Sequence, residues 1–599
     1  MKRRIKNKTL ALKANNFIAA AGLCAIVLIT SFITPAAAVD STVPGELTTP
    51  FPTITNLAVE WVIEGDDNHN GTVDVEYRIT GSSQWQKGMR LVRVPAGNTG
   101  NRTRPTYRWD NKHSGSIFDL KPDTGYEIRL KLSDPDGGSA ERTVRARTRP
   151  VPGPAPDAVV KKVNPRTLEQ EALLAEPGDI LLLAPGYYGE FVMQRDGEPG
   201  RPIVIRSDGS HPVINSTFDG VSLEFRKHVI LEGVTVNGSV RLCFGEELAV
   251  RRCTVNAKYG IIAKSQPGCK NCYIADNVVS YVMPWVAEST GSSSIWGGAA
   301  NIGEGIEITG PGNVICFNRV SGFRDCISTM EDLWVYEQSC IDIYNNDIYV
   351  GPDDGIEADF CMHNCRIMRN RITNCGMGLS SQPGLGGPVY FIRNVMYNIA
   401  MAPFKLERHS YGNIFLHNTA VKAGNGFFEH HGQNEYFRTV FKNNLCIGGT
   451  GGGRKGRYSS GQGLAVALPG FNRTCEFDYN GVGTCGTPFG GLIADKTFTD
   501  IQGLRRLTGG KHSVQVDMGV FASGVGFPDP MFPERAPADL RLAPHSAAVD
   551  AAEVIPGVNG GFTGSAPDIG AYELGQPLPQ YGPRPEGADE ETMWQARQR

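Results

Sequence analysis

The alternation of apolar and polar residues divides the chain into two β-rich regions. Residues 45–150 contain short alternating segments such as "LAVEWVIEG" and "GTVDVEYRIT", with turn residues about every ten positions. This period-two pattern with regular turns predicts an antiparallel β-sandwich. The proline-rich stretch at 151–160 predicts a linker to the rest of the chain.

The second region, 161–575, has an internal repeat built on asparagine. Asparagines recur within short apolar segments, and from Asn346 onward the steps between them are 24, 24, 24 and 25 residues. The repeated residues are Asn277, Asn318, Asn346, Asn370, Asn394, Asn418 and Asn443. A fixed period that carries strands and no helices predicts a β-solenoid, in which stacked coils bury what one coil cannot. Inward asparagines can bond their copies one coil away, as amides do in cross-β ladders.

Both ends of the repeat region have recognisable features. The stretch 164–190, "NPRTLEQEALLAEPGDILLLAPGYYGE", predicts a short helix followed by a strand, and the helix would cover the open first coil. This opening, the segment "GEPGRPIVIRSDGSHPVI" and the asparagine ladder resemble right-handed parallel β-helix proteins of the polysaccharide-lyase type. The closing "LAPHSAAVDAAEVIPGVNGGFTGSAPDIGAYELG" resembles the end of many secreted bacterial β-helix proteins. The stretch "IFDLKPDTGYEIRLKLSDPDGG" in the first region resembles a fibronectin type III domain.

Together these features predict an all-β protein. We expect an N-terminal β-sandwich, then a right-handed parallel β-helix with a helical N-terminal cap, and last a polar tail at 576–599.

Residues 1–38 have the three-part pattern of a secretory signal peptide. A basic start precedes the apolar run "FIAAAGLCAIVLITSFI" and the small-residue exit "PAAA". A single N-terminal membrane anchor is the alternative. Signal cleavage predicts a secreted or periplasmic protein without stable membrane insertion, and we expect a monomer. The first 38 residues carry six of the 59 basic residues and none of the 62 acidic ones, so the remainder has a net charge of −9. Such a balance disfavours nucleic-acid binding, which needs a basic face.

Thirteen of the 14 cysteines follow residue 38. Three pairs are close enough in sequence to form disulfides, which an oxidising compartment would allow: Cys269/Cys272, Cys361/Cys365 and Cys475/Cys485. Zinc is the alternative for the CxxC at 269–272, but there is no second CxxC and no histidine at finger spacing.

Aligning the coils places acidic residues above one another. The segments "EGIEIT", "DCISTM", "DGIEAD", "MGLSSQ" and "APFKLE" align, and their second apolar residues would point inward. One outward column then contains Glu304, Asp325 and Asp354; the next contains Glu307, Ser328, Glu357, Ser380 and Lys405; the third includes Asp359, Gln382 and Glu407. Stacked carboxylates repel unless a cation separates them, and calcium takes six to eight oxygen ligands. We therefore predict a calcium site formed by Glu304, Asp325, Asp354, Glu357 and Asp359. The alternative is that these are solvated surface acids.

A lysine beside a cation site suggests β-elimination from a uronic-acid polymer. β-Helix polysaccharide lyases commonly use calcium to neutralise the sugar carboxylate and a lysine or arginine for proton transfer. The stretch "HSYGNIFLHNT" at 409–419 resembles the segment around the catalytic lysine of alginate lyases and chondroitinase B-like lyases, with His409 at the position of that lysine. We expect Lys405 to act as the base, with Arg408, His409 and His430 as further catalytic candidates. Gln382, Glu407, Arg454, Lys455 and Arg457 are the expected contacts to an acidic polysaccharide.

Two other functions remain open. "GPDDG" at 351–355 also resembles the aspartate-rich site of polygalacturonase-like hydrolases, which cleave with paired carboxylates. β-Helices also serve as adhesins, so a non-catalytic carbohydrate-binding surface protein is the third possibility.

Overall fold

The computed structural model describes residues 39–104, 106–208, 216–263, 268–286, 289, 303–329, 337–430, 435–455 and 458–597. The predicted signal peptide and Arg457 lie outside these residues. No helix within the described ranges is long and apolar enough to cross a membrane.

The N-terminal region forms an antiparallel β-sandwich, as predicted. Its strand order is β1-β2-β7-β4-β3-β8-β9, with a separate two-stranded ribbon, β5-β6. Alternate residues of these strands bury one apolar core, which contains Trp61, Tyr126 and Leu130. The strands are β1 Thr42–Thr48, β2 Leu57–Gly65, β3 Thr72–Ile79, β4 Gln86–Val94, β5 Gly97–Asn98, β6 Arg108–Trp109, β7 Lys112–Ile117, β8 Gly125–Ser133 and β9 Ser139–Arg147.

The remainder forms a parallel β-helix, whose strands pair with the equivalent strands of the next coil. One wall is a 13-stranded sheet: β10 Val159–Val163, β11 Asp179–Leu183, β13 Ile203–Ser207, β15 Val229–Glu232, β18 Ala249–Arg251, β21 Tyr273–Ala275, β24 Val314–Cys316, β27 Asp342–Tyr344, β29 Cys365–Met368, β31 Val389–Ile392, β33 Asn413–Leu416, β36 Val440–Lys442 and β41 Glu476–Asp478.

The other walls belong to a 21-stranded sheet that bends around the core. Its strands are β12 Tyr187–Val192, β14 Thr217–Ser222, β16 Thr235–Val236, β17 Val240–Arg241, β19 Thr254–Asn256, β20 Tyr259–Ala263, β22 Val278–Ser280, β23 Glu304–Ile308, β25 Arg319–Ser321, β26 Asp325–Ser328, β28 Asp347–Glu357, β30 Arg371–Ser380, β32 Val395–Lys405, β34 Thr419–Val421, β35 Phe427–His430, β37 Leu445–Gly449, β40 Val466–Leu468, β42 Gly481–Cys485, β43 Gly491–Ile493, β44 Lys496–Phe498 and β45 Val514–Val516. A small ribbon pairs β38 Arg454–Lys455 with β39 Tyr458–Ser459.

Three α-helices accompany the strands within the described ranges. Leu168–Leu173 packs beside β10 and β11 at the first coil, as expected for the helical cap. Ile501–Thr508 lies near the last coils. Glu590–Arg597 belongs to the segment predicted as a polar tail, and its Glu590 is buried, within 3.1 Å of the hydroxyl of Tyr273.

The asparagine ladder is confirmed, with one correction. Asn346 Nδ2 donates to Asn370 Oδ1 at 2.9 Å, and Asn370 bonds Asn394 in the same way at 3.0 Å. The ladder reaches Asn277 in one direction and Asn480 in the other. Its member after Asn418 is Asn444, so the choice of Asn443 was wrong by one residue. Asn443 and Asn444 are adjacent, so a repeat of about 24 residues does not distinguish which of the two joins the ladder.

The sandwich packs directly on the β-helix. Thr53 and Asn56 donate hydrogen bonds to Asp342 of the 13-stranded sheet. Phe118 packs edge-on against Tyr390, with ring centroids 5.1 Å apart. These contacts bring the sandwich alongside the turns that follow the acid-bearing strands.

All 13 cysteines of the described region are free thiols. Eleven of them are buried, so they pack as small apolar side chains.

Candidate functional site

The acid-bearing strands stack in the predicted register. Ile306, Ile327, Ile356, Leu379 and Phe404 face the core and have no exposed surface. The column through Glu307, Ser328, Glu357, Ser380 and Lys405 is continuous in the strand pairing. Glu304 pairs with Asp325, and the backbone N–H of Asp354 donates to Asp325 Oδ1 at 2.8 Å.

These acids are buried, which excludes the alternative of solvated surface charges. Asp325, Asp354 and Asp359 have no exposed surface, and Glu357 is 2% exposed. They point away from the β-helix core and are nonetheless buried. Beside them, Met377 and Ala402 pack under an apolar cluster that includes Trp285 and Met531.

Three of the carboxylates converge. Oxygen atoms of Asp325, Asp354 and Glu357 lie within 4.8 Å of one another, a spread that a cation with oxygen ligands at about 2.3–2.6 Å can bridge. Asp354 Oδ1 is buried and has no hydrogen-bond partner among the described residues. Ser328 donates to Glu357 Oε2 at 2.9 Å, and Ser380 donates to Asp359 Oδ1 at 2.6 Å. Ser328 and Ser380, on the coils either side, therefore orient two carboxylates of the coil between them.

Two basic residues touch the cluster. Lys405 Nζ donates to Asp354 Oδ2 at 2.6 Å. Arg324 Nε lies 2.9 Å from Asp325 Oδ2 and 3.4 Å from Asp353 Oδ2. Arg324 and Asp353 are outside the predicted site. Each of them nevertheless comes directly before a predicted ligand, Arg324 before Asp325 in "RDC" and Asp353 before Asp354 in "DDG". Seven buried acids lie against these two bases: Glu304, Glu307, Asp325, Asp353, Asp354, Glu357 and Asp359.

Burial and mutual repulsion shift the ionisation of the cluster. Burial raises the pKa of Asp354 to about 6, even though the charge of Lys405 favours the ionised form. The pKa of Asp325 is raised well above its ordinary value, again mainly by burial. Burial alone would lower the pKa of Lys405, but Asp354, Asp359 and the neighbouring acids together raise it well above its ordinary value.

Four more of the predicted site residues lie on one side of this cluster: Gln382, Glu407, Arg408 and His409. Gln382 N–H donates to Asp359 Oδ1 at 2.7 Å, and in the amide orientation that satisfies its neighbours Gln382 Oε1 accepts from Arg408 Nη2 at 3.0 Å. Arg408 and His409 are exposed, and both have positive φ angles, 56° and 58°. Glu407 is half-buried. These residues follow Lys405 directly in the chain, so they form the rim of the site.

Four basic candidates lie farther along the chain. The backbone of His430 pairs with Lys405 on the next coil. Arg454 and Lys455 lie in the small ribbon that follows β37. Arg457 lies outside the described residues.

An open cavity of about 430 Å³ lies beside the rim, between the sandwich and the β-helix. His409, Tyr411 and Phe437 line it from the β-helix, and Arg102 and Trp109 line it from the sandwich. Its size is within the usual range for ligand-binding clefts. The sandwich therefore supplies part of the wall next to the candidate site.

Comparison with known proteins gives structural likenesses only. No protein-family model matches the chain, and no curated protein matches it. The crystal structure of pectate lyase Pel9A is similar over 70% of this chain and 97% of its own, with 15% identity and a TM-score of 0.40. A family 28 exopolygalacturonase of Yersinia enterocolitica is similar over 74% of this chain and 96% of its own, with 10% identity and a TM-score of 0.26. The fold assignment therefore rests on the strand pairing of this chain.

Proposed function

We propose that the protein is a polysaccharide lyase that cleaves a uronic-acid-containing polymer by calcium-assisted β-elimination. The observation that supports this most is the contact of Lys405 with a buried cluster of converging carboxylates. Such a cluster would hold a divalent cation, and Lys405 at its edge would take the proton from the substrate.

The donor set favours calcium. Asp325, Asp354 and Glu357 offer only oxygen atoms, which are the ligands of hard cations. Glu304, which pairs with Asp325, and Asp359, two residues after Glu357, complete the proposed set. The buried Asp354 Oδ1, without a hydrogen bond from the described residues, is a ready ligand atom. When bound, calcium would neutralise the substrate carboxylate and so acidify the neighbouring C–H group.

Lys405 is the proposed base. Its side chain is 11% exposed, so it is reachable from solvent while Asp354 beneath it is not. A base must be uncharged when it accepts the proton, and the acids of the metal-free cluster hold Lys405 in its charged form. A bound cation would compensate those acids and so remove their attraction for the charged lysine. Burial would still favour the neutral amine, so the pKa of Lys405 would fall. Cation binding and base activation are therefore coupled in this proposal.

Arg408 and His409 are the proposed donors at the leaving oxygen. Both are exposed at the rim, three and four residues after Lys405. Arg408 is held toward Gln382, which itself bonds Asp359, so a chain of hydrogen bonds links the rim to the acids. His430, Glu407, Arg454, Lys455 and Arg457 remain proposed contacts to the polymer.

The cellular context is part of the proposal. We infer secretion from residues 1–38, action on an acidic polysaccharide outside the cytoplasm, and a monomer with a fibronectin type III-like N-terminal module.

The deciding experiment measures product chemistry. The protein is incubated with pectate, alginate and glycosaminoglycans, with calcium or with chelator, and absorbance of the 4,5-unsaturated product is followed. Calcium-dependent absorbance supports the lyase. New reducing ends without absorbance would instead indicate hydrolysis, and binding without cleavage would indicate a carbohydrate-binding protein.

A further inference from the structure

Two exposed phenylalanines stack on one another near the N-terminal end of the β-helix. Phe225 and Phe244 are 58% and 44% exposed, with ring centroids 4.3 Å apart and ring planes 15° from parallel. Both have a φ angle of 63°, which is an outlier for a bulky side chain. Single exposed apolar residues are ordinary, but a stacked pair in this backbone conformation requires a reason.

The pair occupies a defined position relative to the candidate site. Phe225 lies three residues after Ser222, and Phe244 three residues after Arg241. The column of paired residues that contains Ser222 and Arg241 continues through the β-helix to Glu357 and Lys405. The pair therefore lies on the turn edge that borders the acid-bearing face.

The residue at this turn position differs from coil to coil, and so does the exposure of its side chain. Three residues after Glu357 comes Phe360, also at positive φ, which is buried and contacted by Tyr107 of the sandwich. Three residues after Lys405 comes Arg408, on the rim of the site. Phe225 and Phe244 are aromatic like Phe360, but their side chains are exposed. This edge therefore has an exposed aromatic surface N-terminal to the acids.

The distance suits one extended ligand. Four coil steps separate the strand of Arg241 from that of Glu357, or about 19 Å at ~4.8 Å per coil. A polysaccharide chain bound at the acids and following the β-helix axis would reach Phe244 after a few sugar units. Phe244 also lines a cavity of about 560 Å³, into which the sandwich contributes Tyr107.

The charges beside the pair fit an anionic polymer. Lys227 and Lys270 flank Glu246 on successive coils, at 2.9 Å and 3.2 Å. Both lysine side chains are about half exposed, so their amines can reach carboxylates of a bound chain. Glu246 and Glu337 line the same cavity and balance the two positive charges, so the lysines would act as individual contacts and not as a positive patch.

We propose that Phe225 and Phe244 form a distal subsite that stacks on pyranose rings of the acidic polysaccharide bound at the Asp354–Lys405 site. The two rings cover one face of each other, and the remaining face of each is electron-rich and attracts the polarised C–H groups of a sugar face. Lys227 and Lys270 contact carboxylates of the same chain. This inference rests on the proposed function for the identity of the ligand.

The test compares the double variant, which carries both Phe225→Ala and Phe244→Ala, with the parent protein. Binding is measured by affinity electrophoresis in gels that contain polygalacturonate, alginate or hyaluronate. We expect the double variant to bind the preferred polymer about tenfold more weakly and to bind a trisaccharide of it as the parent does. Tyr187→Ala is the matched control and should bind normally, because it removes an aromatic side chain that is 62% exposed and that stacks on no other ring of the described residues. Unchanged melting temperatures confirm that all variants fold.

Because binding is measured without turnover, the outcomes separate the two proposals. Equal binding of polymer by the double variant and the parent overturns the subsite, whatever the product assay shows. Retention of the parent by none of the polymers also overturns it. Weaker polymer binding by the double variant, in a parent that forms no unsaturated product, supports the subsite and rejects the lyase.

Discussion

Lys405 and Asp354 lie on strands two coils apart, and Lys405 Nζ donates a 2.6 Å hydrogen bond to Asp354 Oδ2. The contact joins the proposed base to a proposed calcium ligand. It also explains how an acid with no exposed surface is accommodated before a cation binds, since an unpaired buried charge would be costly.

We expect Lys405→Ala to lower kcat of the lyase reaction at least 100-fold, because general acid–base catalysis contributes about 10²–10⁴-fold. Initial rates of unsaturated-product formation at saturating polymer measure the effect. Lys442→Ala, which removes a half-buried lysine paired with Glu553 at 3.0 Å, is the control and should retain the parent rate. A Lys405→Ala protein that is as active as the parent would remove Lys405 from the mechanism.

Calcium is expected to stabilise the folded protein. At a free concentration 100 times the dissociation constant, a ligand specific for the folded state adds about 2.7 kcal/mol to the free energy of unfolding. Thermal melting with calcium, magnesium and chelator measures this, and Asp354→Ala should abolish the calcium response. Asp123→Ala, which removes an exposed acid paired with Arg147, should keep it. Melting that is indifferent to calcium in the parent would show that the acids hold no such ion.

The register was predictable from sequence because side chains alternate strictly along a strand. Once Ile306, Ile327 and Ile356 were set to the core, the positions of Glu307 and Glu357 followed. The burial of the acids was not predictable, because the strand alternation shows which side of the sheet a residue faces and not what packs over that side. The aromatic pair was also missed, because Phe225 and Phe244 meet only through the turn conformation that brings them together.

The asparagine ladder should contribute measurably to stability. Asn394 Nδ2 donates to Asn418, and Asn394 Oδ1 accepts from both the backbone and the side chain of Asn370. Asn394→Ala leaves the buried backbone N–H of Asn370 without its partner, at a cost of about 1–3 kcal/mol, and it removes one of the hydrogen bonds of Asn370 Nδ2 and of Asn418 Oδ1. Urea unfolding measures the loss, and Asn256→Ala, at an exposed asparagine pair, should change little. Equal midpoints for the two variants would contradict a stabilising role for the ladder.

Glu429 is expected to make stability depend on pH. It pairs with Phe404 in the strand register, has no exposed surface, and accepts a hydrogen bond from Gly470 N–H at 2.9 Å. Burial raises the pKa of Glu429 well above its ordinary value of 4.5, and the nearby charge of Glu407 raises it further.

The folded protein therefore keeps a proton on Glu429 that the unfolded chain loses above pH 4.5. The stability that this proton provides is fully present below that pH and decreases as pH rises toward the folded-state pKa, at about 1.4 kcal/mol per pH unit. Glu429→Gln should remove this part of the slope, because glutamine keeps the shape and cannot ionise. Urea unfolding of parent and variant between pH 5 and pH 8 measures it, with the exposed Glu435→Gln as control. Parallel pH profiles for the parent and Glu429→Gln would mean that Glu429 is ionised in the folded protein.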